Sequence, residues 1–384
     1  MAISGTCKDG FDAVRQAFEA NFTAREDGIF DEGASVAVTV DGELVVDLWG
    51  GRANRDAGES LPWEADTIIN VWSTTKTLGA LAVLLLADRG ELDLYAPVAT
   101  YWPEFAANGK QDIAVRHVMS HTAGLSGWAE PVTYTDLYDR RRAAALLGAQ
   151  APWWEPGTAS GYHAITQGYL EGEIVQRVTG ASLGEFVRDN ITGPLGADFH
   201  IGTPPEADAR VAHVVPPPPL AMPADLDPAS VLAKTFGNPV LDATQSWTVD
   251  WRRAEIPAAG GHGNARSVAQ IHTPMVCGGE ANGVRLLGKD TIDAVFDEQC
   301  NGTDLVLQVP FRHGIGFGLQ NAELPMSPNE RVCFWGGWGG SLAILDLDAR
   351  MSFSYVMNKM GEGTVGDMRG AGLLLAAYAS LGRL

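Results

Sequence analysis

The chain has 384 residues and a formal charge of −20, from 27 Lys plus Arg against 47 Asp plus Glu. Phosphate backbones need a clustered basic face, so nucleic acid is excluded as a partner; the one dense basic run, Arg140-Arg141-Arg142, reads as a solvated helix face. Apolar residues at 46% and charged ones at 19% fit a globular chain that buries most of its apolar surface and splits into two domains.

The N-terminus, Met-Ala-Ile-Ser-Gly-Thr-Cys, shows neither the basic region nor the apolar stretch of an export signal. Phe11, Val14, Phe18 and Phe22 recur at helical spacing and predict an amphipathic helix over 9–24. Ser35 to Trp49 forms two alternating runs around Asp41-Gly42, a dipeptide of tight hairpins, so two antiparallel strands follow. The longest apolar run, Leu78 to Ala87, falls well short of the roughly 20 residues that cross a bilayer and predicts a buried helix over 78–89. Further helices are predicted over 136–147, 166–178 and 183–190.

Residues 204–239 hold nine of the 21 prolines and predict a long surface excursion of the kind that forms lids or binding loops. Strands follow over 314–319, 332–334, 341–347 and 351–357, with a turn at Asp346 to Arg350 and a last helix over 365–381. Meandering strands favour an antiparallel sheet. The expected class is therefore α/β of the α+β kind. Residues 1–80 and 257–384 would share one sheet flanked by the terminal helices, and 81–256 would form a mostly helical domain. Cys7, Cys277, Cys300 and Cys333 are widely spaced and read as reduced cytoplasmic thiols.

The sharpest chemical signal is Ser73-Thr74-Thr75-Lys76, just before the apolar run. Residues at i and i+3 share a helix face, so both side chains stand together, with Ser73 at the helix N-terminus where negative charge is favoured. A serine hydroxyl needs an adjacent base, and a lysine supplies one when burial lowers its pKa. Taken alone, the pair is equally a cap serine with a nearby lysine. Tyr162 follows a Gly- and Pro-bearing turn, and a tyrosine held near a lysine can be drawn toward phenolate. In Trp335-Gly336-Gly337-Trp338-Gly339-Gly340-Ser341 four glycines interrupt a strand pattern, which marks a close approach to backbone.

These three elements, in this order, resemble the serine β-lactamase and penicillin-binding-protein superfamily, in particular the class C-type lactamases and family VIII carboxylesterases. The segments Arg116 to Leu125, Glu185 to Ala197 and Ala259 to Ser267 share the likeness, which spans roughly residues 10–380. The resemblance implies a β-lactamase/transpeptidase-like fold with Ser73 as nucleophile, Lys76 as its activator and Tyr162 as proton relay. The backbone N–H groups of Ser73 and Trp338 would form the oxyanion hole, and no metal or cofactor is implied. His117 and His121 stand at i and i+4 but lack the Glu of a zinc-binding H-E-x-x-H helix.

Two departures direct the substrate expectation. The family's Y-x-N reads Tyr162-His163-Ala164, and its K-T-G reads Trp335-Gly336-Gly337. Without the cation and the amide, a charged penicillin or peptide terminus loses its partners, whereas a neutral ester needs neither. The expected function is thus a serine carboxylesterase for small neutral esters. Trp72, Trp128, His163, Trp335, Gly336 and Gly337 are the expected substrate contacts, and aromatic walls around the pocket would favour short acyl chains. Trp153 and Trp154 flank the same elements. A β-lactamase, D-amino-acid peptidase or acyltransferase of the same fold, or a silent scaffold, are the alternatives. The partner is a small-molecule ester, with no nucleic acid and no membrane; a homo-oligomer is compatible with the composition.

Overall fold

The computed structural model describes residues 3–24, 28–54, 60–218 and 226–382. Among them a ten-stranded antiparallel sheet is built from both ends of the chain. Its strands are β1 (Ile3–Cys7), β2 (Gly33–Val40), β3 (Glu43–Asn54), β4 (Cys300–Thr303), β5 (Pro310–His313), β6 (Gly318–Leu319), β7 (Val332–Gly336), β8 (Leu342–Asp346) and β9 (Met351–Met357). They lie in the order β1-β3-β2-β9-β8-β7-β6-β5-β4, and Ser60–Pro62 pairs with the end of β3 off this path. The Asp41-Gly42 hairpin is present, with Asp41 at φ +51 and Gly42 at φ +86. Antiparallel β2 and β9 join the two ends in register, Val36 opposite Tyr355 and Val38 opposite Phe353.

Side-chain alternation assigns each face of that central pair its own helix. Ser35 and Thr39 face helix α9 (Ala265–Val276), where Ser35 Oγ accepts from the Ala265 N–H (3.2 Å) and Thr39 bonds Thr273 (2.9 Å). Tyr355 and Leu342 face the other way, against Gly370 of α10 (Met368–Ser380), which itself packs on α1 (Asp12–Asn21). The remaining helices used below are α2 (Lys76–Asp88), α3 (Val115–Met119), α4 (Tyr134–Tyr138), α5 (Arg140–Ala149), α6 (Thr166–Thr179), α7 (Leu183–Val187) and α8 (Val231–Gly237). Helix α2 is buried along nearly its whole length, as its unbroken apolar sequence requires.

Several expectations change in detail. β1 is absent from the predicted elements, because Ile-Ser-Gly-Thr-Cys lacks an apolar run. The predicted helix 136–147 is two helices, since the Asp139 carboxylate accepts from the Arg142 N–H and caps a fresh start at Arg140. The predicted strand 314–319 keeps only its last two residues; Gly316 at φ +84 turns the chain before them.

The proline-rich segment carries more structure than its composition suggests. Val211–Ala212 pairs in parallel with Ile68–Ile69, and Val215 is strapped to the sheet through Asn358 O and the Met360 N–H. At its far end α8 is pinned by Thr235 to Ser126 (2.7 Å) and by Asn238 Nδ2 to the carbonyls of Trp128 and Glu130. Among the described residues, no helix is long and apolar enough to cross a membrane.

Candidate active site

The chain turns sharply before the predicted nucleophile. Trp72 adopts φ +50, a left-handed conformation that costs a non-glycine residue about 1–3 kcal/mol and persists only when its surroundings impose it. Here the rings of Trp251 and Trp338 pack on the indole, with centroids 5.5 and 4.9 Å away. A 3₁₀ turn, Trp72–Thr75, then leads directly into α2, so Ser73 precedes the helix rather than opening it, and Lys76 is its first residue.

The sheet holds this turn from the other side. Ser341 Oγ donates to Val71 O (2.8 Å) and bonds Thr74 Oγ1 (2.9 Å). A Cβ on Gly337 would stand 2.4 Å from Val71 O and 3.2 Å from Ser73 N, so the strand end can pass this closely only as glycine. Gly336 is similarly crowded by the Val365–Gly366 backbone. The Ser73 and Trp338 N–H groups take no hydrogen bond among the described residues, and both residues border the same cavity.

Ser73 Oγ lies 3.0 Å from Lys76 Nζ and 2.6 Å from the Tyr162 hydroxyl. Lys76 Nζ also donates to the carbonyls of Ala164 (2.6 Å) and Ala258 (3.0 Å). Burial holds this amine well below the ordinary lysine range, against the opposing pull of the Glu171 carboxyl. A neutral amine has two hydrogens, and the two carbonyls take both. Its lone pair is then left for the Ser73 hydroxyl, and after proton transfer all three ammonium hydrogens still have acceptors. Tyr162 departs from the phenolate expected beside a lysine. Burial raises its pKa above the ordinary tyrosine value, and a neutral amine offers no cation to oppose that, so it stands as a phenol donating to Ser73.

Tyr162 is fixed by a residue that sequence reasoning missed. Asp304 Oδ1 accepts from the backbone N–H of Tyr162 (3.0 Å), Val306 (2.8 Å) and Leu307 (2.9 Å). Burial alone would raise this carboxyl, but His313 at 3.5 Å and the N–H donors hold it at about 2. Asp304 looks unremarkable in sequence; only its backbone partners reveal it.

Three expected substrate contacts take other duties. His163 is fully buried and spends both ring nitrogens on backbone, Nδ1–H on Gly161 O (2.6 Å) and Nε2 on the Leu125 N–H (3.1 Å). Trp335 packs between His121, 5.1 Å away and nearly parallel, and the Tyr162 ring. Trp128 donates its Nε1–H to Ala143 O and lies on Tyr169. None of the three borders the cavity at Ser73, nor do Gly336 and Gly337; Trp72 and Trp338 do. Trp154 packs on Gly161, and Trp153 carries the Lys234 ammonium over its ring at 4.4 Å.

The neutral histidines carry a pH consequence. Burial pushes His163 and His272 down to about 4 and His262 to about 3, and a second proton on His163 would face the Leu125 N–H. In the unfolded chain these groups protonate below about 6.5, so stability present above that pH is lost as pH falls toward 4. His163 alone accounts for about 3 kcal/mol at pH 4. Urea denaturation should show the midpoint falling steadily over this window; a flat profile would contradict the neutral assignment.

The cavity above Ser73 has a volume of about 670 Å³. Trp72, Trp338, Tyr162 and Ile165 line it together with Pro216 to Pro218, Phe236, Val240 and Leu241. No Lys, Arg or His is among the described residues that line it.

Residues 21–378 match the model of the Beta-lactamase family. Esterase/beta-lactamase LipL of Mycobacterium tuberculosis is 35% identical over 369 residues, 93% of this chain and 83% of that protein. The crystal structure of a family VIII carboxylesterase superposes with a TM-score of 0.91 at 42% identity, covering 99% of this chain and 100% of the other. A penicillin-binding-protein homologue from Caulobacter crescentus gives 0.90 at 38% identity, again covering 99% and 100%. With its Ser-x-x-Lys turn, its tyrosine and its glycine-rich strand in the order the sequence implied, the chain belongs to the beta-lactamase family.

Proposed function

We propose that the protein is a serine carboxylesterase that cleaves neutral, apolar esters through an acyl-enzyme on Ser73. The observation that carries this reading is the placement of Ser73 Oγ between the Lys76 amine and the Tyr162 phenol on the floor of a cation-free apolar cavity. Lys76 takes the Ser73 proton as Oγ bonds to the ester carbonyl carbon. The oxygen that gains charge meets the N–H groups of Ser73 and Trp338, donors of a kind each worth about 10²–10³ in rate. Collapse expels the alkoxide, which takes the Tyr162 proton, and Lys76 returns a proton to Tyr162. Water then retraces the path and releases the acid.

The substrate class follows from what the walls lack. A β-lactam or peptide carboxylate would leave water for a pocket without a cation, at a cost its binding does not recover. The cavity also exceeds what a short acyl chain fills, so the bulk of the ester lies under the proline strap rather than being excluded by aromatic walls. The four cysteines are unpaired thiols, in keeping with the reducing cytoplasm we propose for it.

Turnover of p-nitrophenyl butyrate, a bulky aryl ester and a cephalosporin should rank both esters far above the β-lactam. A fluorophosphonate should label Ser73 and no other residue. Faster cephalosporin turnover, or a label elsewhere, would sink the reading.

A further inference from the structure

Glu171 on α6 is fully buried, and neither of its carboxyl oxygens has a hydrogen-bond partner among the described residues. The carboxyl is directed at α2. A Cβ at Gly79, one turn beyond Lys76, would stand 2.4 Å from Glu171 Oε2, so glycine alone leaves room for it. Leu183 of α7 lies 3.8 Å from the same point and closes the slot with an apolar side chain. Packing gives no reason for an acid here, since a leucine would fill the slot without stranding two acceptors. The elements packed on α6 bring Lys76 and Asp88 from α2, Arg116 and His117 from α3, Arg140, Arg141 and Arg142 from α5, and Glu185 from α7. Lys76 is the one among them whose charge acts on Glu171, and the influence runs both ways.

We propose that Glu171 is a positioning residue for the proton transfer, the counter-charge that balances Lys76 when the lysine accepts the Ser73 proton. This rests on the reading of Lys76 as the base. In that step the Ser73 O–H bond breaks, a third Lys76 N–H bond forms, and Oγ bonds to the substrate carbon. With Glu171 ionised, the Lys76–Glu171 pair passes from one negative charge to none. No net charge is then created in the dry space between α2 and α6. Without the carboxylate the new ammonium has only backbone carbonyls and the departing serine oxygen to face. Burial holds the Glu171 carboxyl well above its ordinary range, so the two groups titrate as a pair. The last proton the pair releases sets the acid limb of kcat/KM.

Glu171→Gln keeps the shape and removes the charge. With p-nitrophenyl butyrate between about pH 5 and 9, its acid limb should move down by about one pH unit or more, and the plateau should fall about tenfold per fluorophosphonate-labelled site. Glu171→Asp retains the charge and should keep its limb near that of the wild type. An unmoved limb in the Gln variant overturns the proposal. If that variant does not accumulate in folded form, Gly79→Ala asks the same question by driving the carboxyl out of its slot, and an unmoved limb there is equally fatal. Normal labelling of Lys76→Met would instead overturn the role of Lys76, which keeps the two failures apart.

Discussion

Lys76→Met is expected to lower kcat/KM for a nitrophenyl ester by about 10³–10⁴-fold, in the range of a lost general base and above what a lost contact gives. The methionine stem fills the volume of the lysine, so the core between α2 and α6 keeps its packing. What disappears is the amine that, in the proposed mechanism, takes the Ser73 proton while keeping all its hydrogens satisfied, through Ala164 O and Ala258 O. The two carbonyls lose their donor, yet a desolvated amine leaves with it, and these terms oppose one another in stability. The expected variant is folded, inert and slow to label. Turnover within tenfold of the wild type would show that Ser73 is activated from elsewhere.

Arg369→Ala carries the largest expected loss of stability, about 3–5 kcal/mol, because it strands the fully buried Asp31 carboxylate. The Arg369 guanidinium is 1% exposed and gathers four segments of the chain. It meets Asp31 at 3.0 Å and Asp367 at 2.5 Å, and donates to the carbonyls of Lys359 and Gly339, each at 2.8 Å. Burial already lifts Asp31 to about 6 against the pull of Arg369, so losing the arginine removes the charge that keeps it ionised. Gly339 directly follows Trp338, so the same change loosens the turn that presents the Trp338 N–H, one of the two donors of the proposed oxyanion hole. Urea denaturation near neutral pH is the measurement, and a midpoint unchanged from the wild type would refute the clamp. Activity should fall in step, as a loss of kcat more than a rise in KM.

What the sequence made legible was local. Ser73 and Lys76 are one turn apart, Asp41-Gly42 fixes its own hairpin, and the glycines of 336–340 announce a close approach wherever the strand lies. The partners that hold these pieces are not local. Asp304 reaches Tyr162 across 142 positions, and Arg369 reaches Asp31 across 338. Neither bond leaves a periodic trace, because a single side chain meeting a distant backbone has no spacing to repeat. Glu171 is hidden differently. It stands in Leu170-Glu171-Gly172-Glu173, where either acid reads as solvated surface, and only α2 and α7 decide which one is enclosed. His163 erred the other way: beside Tyr162 it reads as a substrate contact, yet the turn aims its ring at Leu125 and Gly161. The prolines of 204–239 signalled irregular chain, of which residues 219–225 lie outside the described ones, but not helix α8, the backbone bonds at Val215 or the wall the segment presents to the cavity.

The central strand pair β2–β9 and the Arg369 clamp also bear on how the molecule comes into being. On the ribosome Ser73 and Lys76 emerge early, yet β9, which completes the sheet behind them, is made some three hundred residues after β2. Arg369, which secures the turn beside Trp338, comes later still, in the last helix. A chain that stops before β9 and Arg369 therefore carries Ser73 and Lys76 without the strand that joins the two halves of the sheet and without the clamp beside Trp338. Truncation from the C-terminus should abolish activity well before it touches a residue that contacts the ester.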